Sequence, residues 1–166
     1  LGWHPYAVAG PSSPHAVDRW WLQVPAGRAM LVSEDRMLPT ALVEVGTHDQ
    51  GALDFRRPRR IGPTVLNNAF GDLEPAPDGR IHVRLTDRRG LGVELDFAPR
   101  LRWVQLYTSD LPGEPADRSA LAVEPMTCPP DALNSGLDLE VLQPGGSMTV
   151  DWRLRRLADQ PLPVLR

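Results

Sequence analysis

The 166-residue chain is long enough for one domain with a substantial core, and its 42% hydrophobic and 23% charged residues are an ordinary soluble composition. A net charge of −3, with all 18 basic residues arginine, makes general nucleic-acid binding a poor fit. No apolar run approaches a bilayer span, no leader pattern opens the chain, and the single Cys128 has no partner for a disulfide, so a cytoplasmic protein without membrane contact is expected.

The chain opens on Leu1-Gly2-Trp3-His4, without Met, and reads as the middle of a structured segment, so a fragment or one piece of a split protein is expected. Trp20 to Val24 and Ala41 to Val45 read as strands. Arg56-Arg57-Pro58-Arg59-Arg60 reads as a solvated loop rather than a phosphate-binding patch. Ile81, Val83 and Leu85 alternate with His82 and Arg84. Leu91, Val93, Leu95 and Phe97 alternate with Glu94 and Asp96, and Asp87 to Gly90 joins the two runs as a hairpin. Asp131 to Ser135, after Pro129-Pro130, suits one short helical turn. Met148, Val150, Trp152 and Leu154 alternate with polar residues in a last strand. A domain over 1–158 is expected, with an extended tail over 159–166. Short strands between frequent Pro and Gly predict an all-β, antiparallel β-sandwich.

Glu124 is the most informative residue. It lies in the otherwise apolar run Ala120-Leu121-Ala122-Val123-Glu124-Pro125-Met126, where period two places it on one face with Ala120 and Ala122. Desolvation there raises a carboxyl pKa toward the range of a general base, and the alanines leave room above that face. The alternative is a strand-end Glu that is solvated or paired with Arg118. His4, in Gly2-Trp3-His4-Pro5-Tyr6, titrates near neutrality, although a His beside aromatics is more often structural. Gln105 shares a face with Trp103 and Tyr107, an amide between rings that suits a sugar, or a core strand. His15, His48 and His82 have no ligand spacing to one another or to Cys128, so no metal is expected. No phosphate loop and no nucleophile elbow is present, and Cys128 reads as a buried structural thiol.

Several segments together resemble the aldose 1-epimerase (galactose mutarotase-like) family. Gly2-Trp3-His4-Pro5-Tyr6 looks like its catalytic-His segment. Asp35-Arg36-Met37-Leu38-Pro39-Thr40, ahead of Val45-Gly46-Thr47, and Asp54-Phe55-Arg56 with Ile61-Gly62, are similar to its loops. Val104-Gln105-Leu106-Tyr107-Thr108 resembles its Val-Gln-x-Tyr-Thr strand. Leu121 to Gly136 is close to its catalytic-Glu segment, and Leu142-Gln143-Pro144-Gly145 and Trp152 follow in order. The resemblance spans Gly2 to Trp152 but only the C-terminal half of the family's domain, which is part of a β-supersandwich.

The resemblance implies an isomerase of carbohydrate metabolism that interconverts α and β anomers of a free aldohexose such as glucose or galactose. Glu124 would be the base, His4 the acid at the ring oxygen, and Gln105 and Asn67 the substrate-binding residues, with no cofactor. Asn67 stands in Asn67-Asn68-Ala69-Phe70 where the family often has Asp, and Ala7 replaces a usual aromatic. The family's N-terminal half supplies a second His and an Arg or Asn at the sugar. The isolated chain is therefore expected to be inactive or to need a second chain supplying that half. A non-catalytic carbohydrate-binding protein of the same fold is the alternative function.

Overall fold

The computed structural model describes residues 1–158, and the tail expected over 159–166 lies outside the described residues. Two antiparallel sheets pack face to face. The strands are β1 (Tyr6–Ala7), β2 (Trp21–Gln23), β3 (Ala26–Val32), β4 (Pro39–Glu44), β5 (Arg59–Arg60), β6 (Asn67–Leu73), β7 (Ile81–Thr86), β8 (Gly92–Phe97), β9 (Trp103–Tyr107), β10 (Leu121–Met126) and β11 (Trp152–Leu157). The first sheet has the order β1-β10-β9-β6-β3-β4 and the second β11-β8-β7-β2-β5. The one α-helix among the described residues, α1 (Ala132–Ser135), is a single turn. The expected antiparallel β-sandwich is what forms.

Alternation explains the core. Leu22, Phe70, Val83, Leu85, Leu95, Phe97, Val104, Leu106 and Leu121 point between the sheets and are buried. Each large side chain so buried contributes about 1.5–3 kcal/mol, which is why period two decides the register. β7 and β8 pair from Ile81↔Phe97 to Thr86↔Gly92, and the connecting turn closes on Gly90 at φ 80°, a backbone state that suits glycine.

Three expectations change in the structure. The last strand starts at Trp152 rather than Met148, because Trp152 already pairs with Phe97, the last residue of β8, and Pro99 cannot continue that ladder. The Arg56–Arg60 run is not simply a solvated loop. Arg59 donates to the carbonyls of Gly51 and Ala52, lies 4.2 Å over the Phe55 ring and joins β5 with Arg60. Cys128 is half-buried rather than buried. Glu94 and Asp96, on the outer face of the second sheet, are buried under arginines from neighbouring strands. Arg84 and Arg155 hold Glu94, while Arg80 and Arg153 hold Asp96.

At the β1 and β11 end, the sandwich mouth is an apolar slot lined by Pro5, Ala7, Val123, Leu85, Leu95 and Leu154. Trp3 and Trp152 meet across this end in a parallel stack, with ring centroids 3.4 Å apart and planes inclined by 15°.

Candidate active site

In β10, Leu121 and Val123 belong to the core, which turns Ala122, Glu124 and Met126 to the outer face of the first sheet. Glu124 lies mid-strand, flanked by β9 on one side, where it registers with Gln105. Its side chain keeps only 14% of its surface. That burial raises its carboxyl above the ordinary carboxylate range, and the charge of His4 offsets the rise only in part.

His4 arrives from the other side. Residues 1–7 run antiparallel along β10, with Gly2 opposite Met126 and Tyr6 opposite Ala122, so His4 falls opposite Glu124. Trp3 N–H donates to the Pro125 carbonyl and Val123 N–H to the Pro5 carbonyl. Those bonds put His4 and Glu124 at a non-hydrogen-bonded position of the ladder, where facing side chains come closest. His4 Nε2 lies 3.1 Å from Glu124 Oε1, with the imidazole 56% exposed. The Arg118 partnership considered for Glu124 does not occur. Arg118 is buried and held by Asp18, Asp110 and the carbonyls of Gly62 and Thr64.

β9 turns Trp103, Gln105 and Tyr107 to the same outer face, and β6 turns Asn67, Ala69 and Gly71 there. Gln105 Nε2 donates to Asn67 Oδ1 at 2.9 Å. This bond uses the donor of one amide and the acceptor of the other. Gln105 Oε1 is buried and takes no hydrogen bond among the described residues, and the Asn67 amide donor is not used by that bond. A buried amide oxygen without a donor is a standing cost, which a hydroxyl arriving on this face would relieve. The four residues singled out in the sequence, His4, Glu124, Gln105 and Asn67, are thus brought onto one face across four adjacent segments.

Further residues complete the face. Tyr6 lies beside His4, ring centroids 5.1 Å apart, and period two from His4 would have found it. Trp103 packs with Met30, Ala69 and Met126 in a second apolar cluster, separate from the sandwich core, and donates its indole N–H to Asp138 at 2.8 Å. Its ring occupies the space a Cβ would fill at Gly71, with the nearest ring carbon 2.7 Å from that position. Asp138 lies 35 residues from Trp103 in a loop without strand periodicity, so no local pattern announces it. Among the described residues no group of three His, Cys, Asp or Glu is placed to hold a metal ion.

The fold and this face define an antiparallel β-sandwich that carries a desolvated carboxylate against an imidazole, next to a row of amides and aromatic rings. The chain belongs to the aldose 1-epimerase family, whose sequence profile matches residues 1–155. It is 36% identical over 145 residues to YihR, an uncharacterised protein of Escherichia coli (strain K12), covering 87% of this chain and 42% of that one. A crystal structure of a candidate aldose 1-epimerase from Escherichia coli K12 superposes with a TM-score of 0.66 at 22% identity, over 96% of this chain and 50% of that one. The GalM/aldose epimerase homologue of C. elegans gives 0.59 at 17% identity, over 95% and 50%. The chain spans about half the length of these relatives.

Proposed function

We propose that this polypeptide is the acid–base half of an aldose 1-epimerase, interconverting the α and β anomers of a free aldohexose such as glucose or galactose. The observation that carries this reading is the His4–Glu124 contact at 3.1 Å, with the carboxyl buried and its pKa raised. O1 and O5 of a pyranose hang on the same carbon, so two groups a few ångströms apart can serve both. Glu124, ionised, takes the proton of the anomeric hydroxyl. Protonated His4 gives its proton to O5 as the C1–O5 bond breaks and C1=O1 forms. Rotation at C1 and the reverse transfers close the other anomer. The raised pKa makes the carboxylate a stronger base than a solvated Glu. Gln105 and Asn67 are the hydroxyl-binding amides of this scheme, and no cofactor enters it.

A second chain supplying the half of the relatives that lies outside the match is part of the proposal, because the family resemblance puts sugar-binding groups there. Polarimetry on freshly dissolved α-glucose or α-galactose tests it, with the chain alone and with the matching half added. Catalysed mutarotation that disappears in Glu124→Gln supports the enzyme. Sugar binding with no acceleration supports the non-catalytic carbohydrate-binding protein, which the neutral Asn67 favours. Neither binding nor acceleration in a folded, complemented protein rejects both.

A further inference from the structure

Two prolines weaken the ladder that holds His4. In the pairing of residues 1–7 with β10, Pro125 accepts from Trp3 N–H and Pro5 accepts from Val123 N–H. Neither proline has an N–H to return, so each of these pairs keeps one bond where two would form. Among the described residues the segment lies at the edge of its sheet, and the imidazole it carries is half-exposed. The two pairs that flank His4 therefore hold it by one bond each, with Thr127 N–H donating to the Leu1 carbonyl at 2.9 Å further along the same ladder.

The stack across the sandwich mouth supplies a further constraint. Trp3 adjoins His4 and faces the opposite side of the segment, where it lies flat on Trp152 of the second sheet. Trp152 is itself well fixed. β11 pairs with β8 along its whole length, and Arg153 and Arg155 donate to the buried carboxylates of Asp96 and Glu94 at 2.9 and 2.7 Å. We infer that Trp152 is a positioning residue for the acid–base pair: by stacking on Trp3 it holds His4 in register with Glu124. The inference rests on the acid–base reading above. It assigns β11, which carries no group facing the site, an effect on the site's chemistry.

The variants are Trp152→Ala, Trp152→Phe, His4→Asn and the Trp152→Ala/His4→Asn double variant. The readouts are pH-dependent mutarotation kinetics and an NMR titration of the Glu124 carboxyl, assigned by its loss in Glu124→Gln. His4 lowers that carboxyl's pKa, so a displaced imidazole lets it rise. Trp152→Ala is expected to lower kcat by about 10- to 100-fold, as misplaced catalytic groups do, with KM changed far less. The acid limb of the rate profile and the carboxyl titration both move to higher pH, and Trp152→Phe restores both. In the His4→Asn background Trp152→Ala adds no further shift, as expected when both act through one contact.

A folded Trp152→Ala with the wild-type Glu124 titration overturns the inference, and so does an equal shift in the His4→Asn background. If Trp152→Ala does not fold, Trp3→Leu removes the stack from its other side and is judged by the same two results. If the complemented wild-type protein does not catalyse mutarotation, the proposed function fails, while the titration still decides whether Trp152 positions His4.

Discussion

Glu124→Gln should slow the protein and stabilise it at once. The substitution keeps the side-chain shape and removes the proton acceptor. Loss of one acid–base group costs about 10²–10⁴-fold in rate, or about 3–5 kcal/mol of barrier. Stability moves the other way. The carboxyl is held in a strand face with 14% of its surface exposed, and its ionisable partner among the described residues is a half-exposed imidazole. Its pKa in the fold is raised by burial, so between the unfolded and folded values the folded state binds the extra proton. Stability therefore falls as pH rises through the folded pKa, and the loss persists above it. Gln carries no such penalty. The gain at pH 8 should be about 1 kcal/mol, the scale recovered when a desolvated site residue is neutralised, or about 2–4 °C in Tm for a chain of this size. The assay is thermal unfolding of both proteins by circular dichroism from pH 4 to pH 9. The difference should be near zero at the acid end and open with rising pH. A variant less stable than wild type at pH 8, or a difference independent of pH, would refute the claim that this carboxyl is desolvated and underpaired.

His4→Asn should lower kcat by at least about 10²-fold and shift the acid limb of the rate profile upward, because the imidazole no longer holds the Glu124 pKa down; pH-resolved polarimetry reads both. Gly71→Ala places a methyl 2.7 Å from the Trp103 ring, which its hydrogen bond to Asp138 and the Met30–Met126 cluster keep from retreating. Overpacking of this kind costs about 1–3 kcal/mol, so Tm should fall by between about 2 and 12 °C, and an unchanged Tm would show that the indole can move. Glu94→Gln should cost about 1–3 kcal/mol at pH 7 by weakening its bonds from Arg84 and Arg155. Burial pushes this carboxyl up, but the hydrogen bonds from Arg84 and Arg155 and the close His82 imidazole bring it below the usual range. Its contribution is therefore present above the unfolded pKa and fades as pH falls through the folded one, so denaturant titrations of variant and wild type should converge in acid.

Much of this architecture was legible in period two. The runs over 81–85 and 91–97 form the β7–β8 hairpin, and Leu121 and Val123 face the core as the alternation requires. Glu124 stood out because an ionisable group in an apolar strand must be either paired or functional. Gln105 stood out because its neighbours at i±2 are aromatic. Asn67 and the contact of His4 with Glu124 were not readable from local pattern; the family resemblance pointed to Asn67 and to the two residues as acid and base, but not to their direct contact. β3 and β6 escaped the alternation because Gly27, Arg28, Asn67 and Asn68 break its apolar rhythm, although each strand is paired on both sides. The Trp3–Trp152 stack escaped because it joins residues far apart in the chain and on different sheets. Period two placed Trp152 on the inner face of its strand, but nothing local names the ring across the gap.

The two outer faces of the sandwich show what sets the direction in which a buried carboxylate's pKa moves. Glu94 and Glu124 are the same residue type in comparable mid-sheet positions, and burial pushes both pKa values upward. Glu94 meets two guanidinium groups and an imidazole from the adjacent strands, and its pKa ends below the ordinary value. Glu124 meets one imidazole, and its pKa ends above it. Desolvation is thus common to both faces, and the number of cations set against it decides the outcome. On the second sheet the arginines of β7 and β11 turn burial into a strand-to-strand clamp. On the first sheet the positions flanking Glu124, His4 aside, are Ala122, Met126 and Gln105, none of which can carry a positive charge. That local poverty of cations is a property of the sequence, and it leaves the carboxylate available to a proton brought by something else.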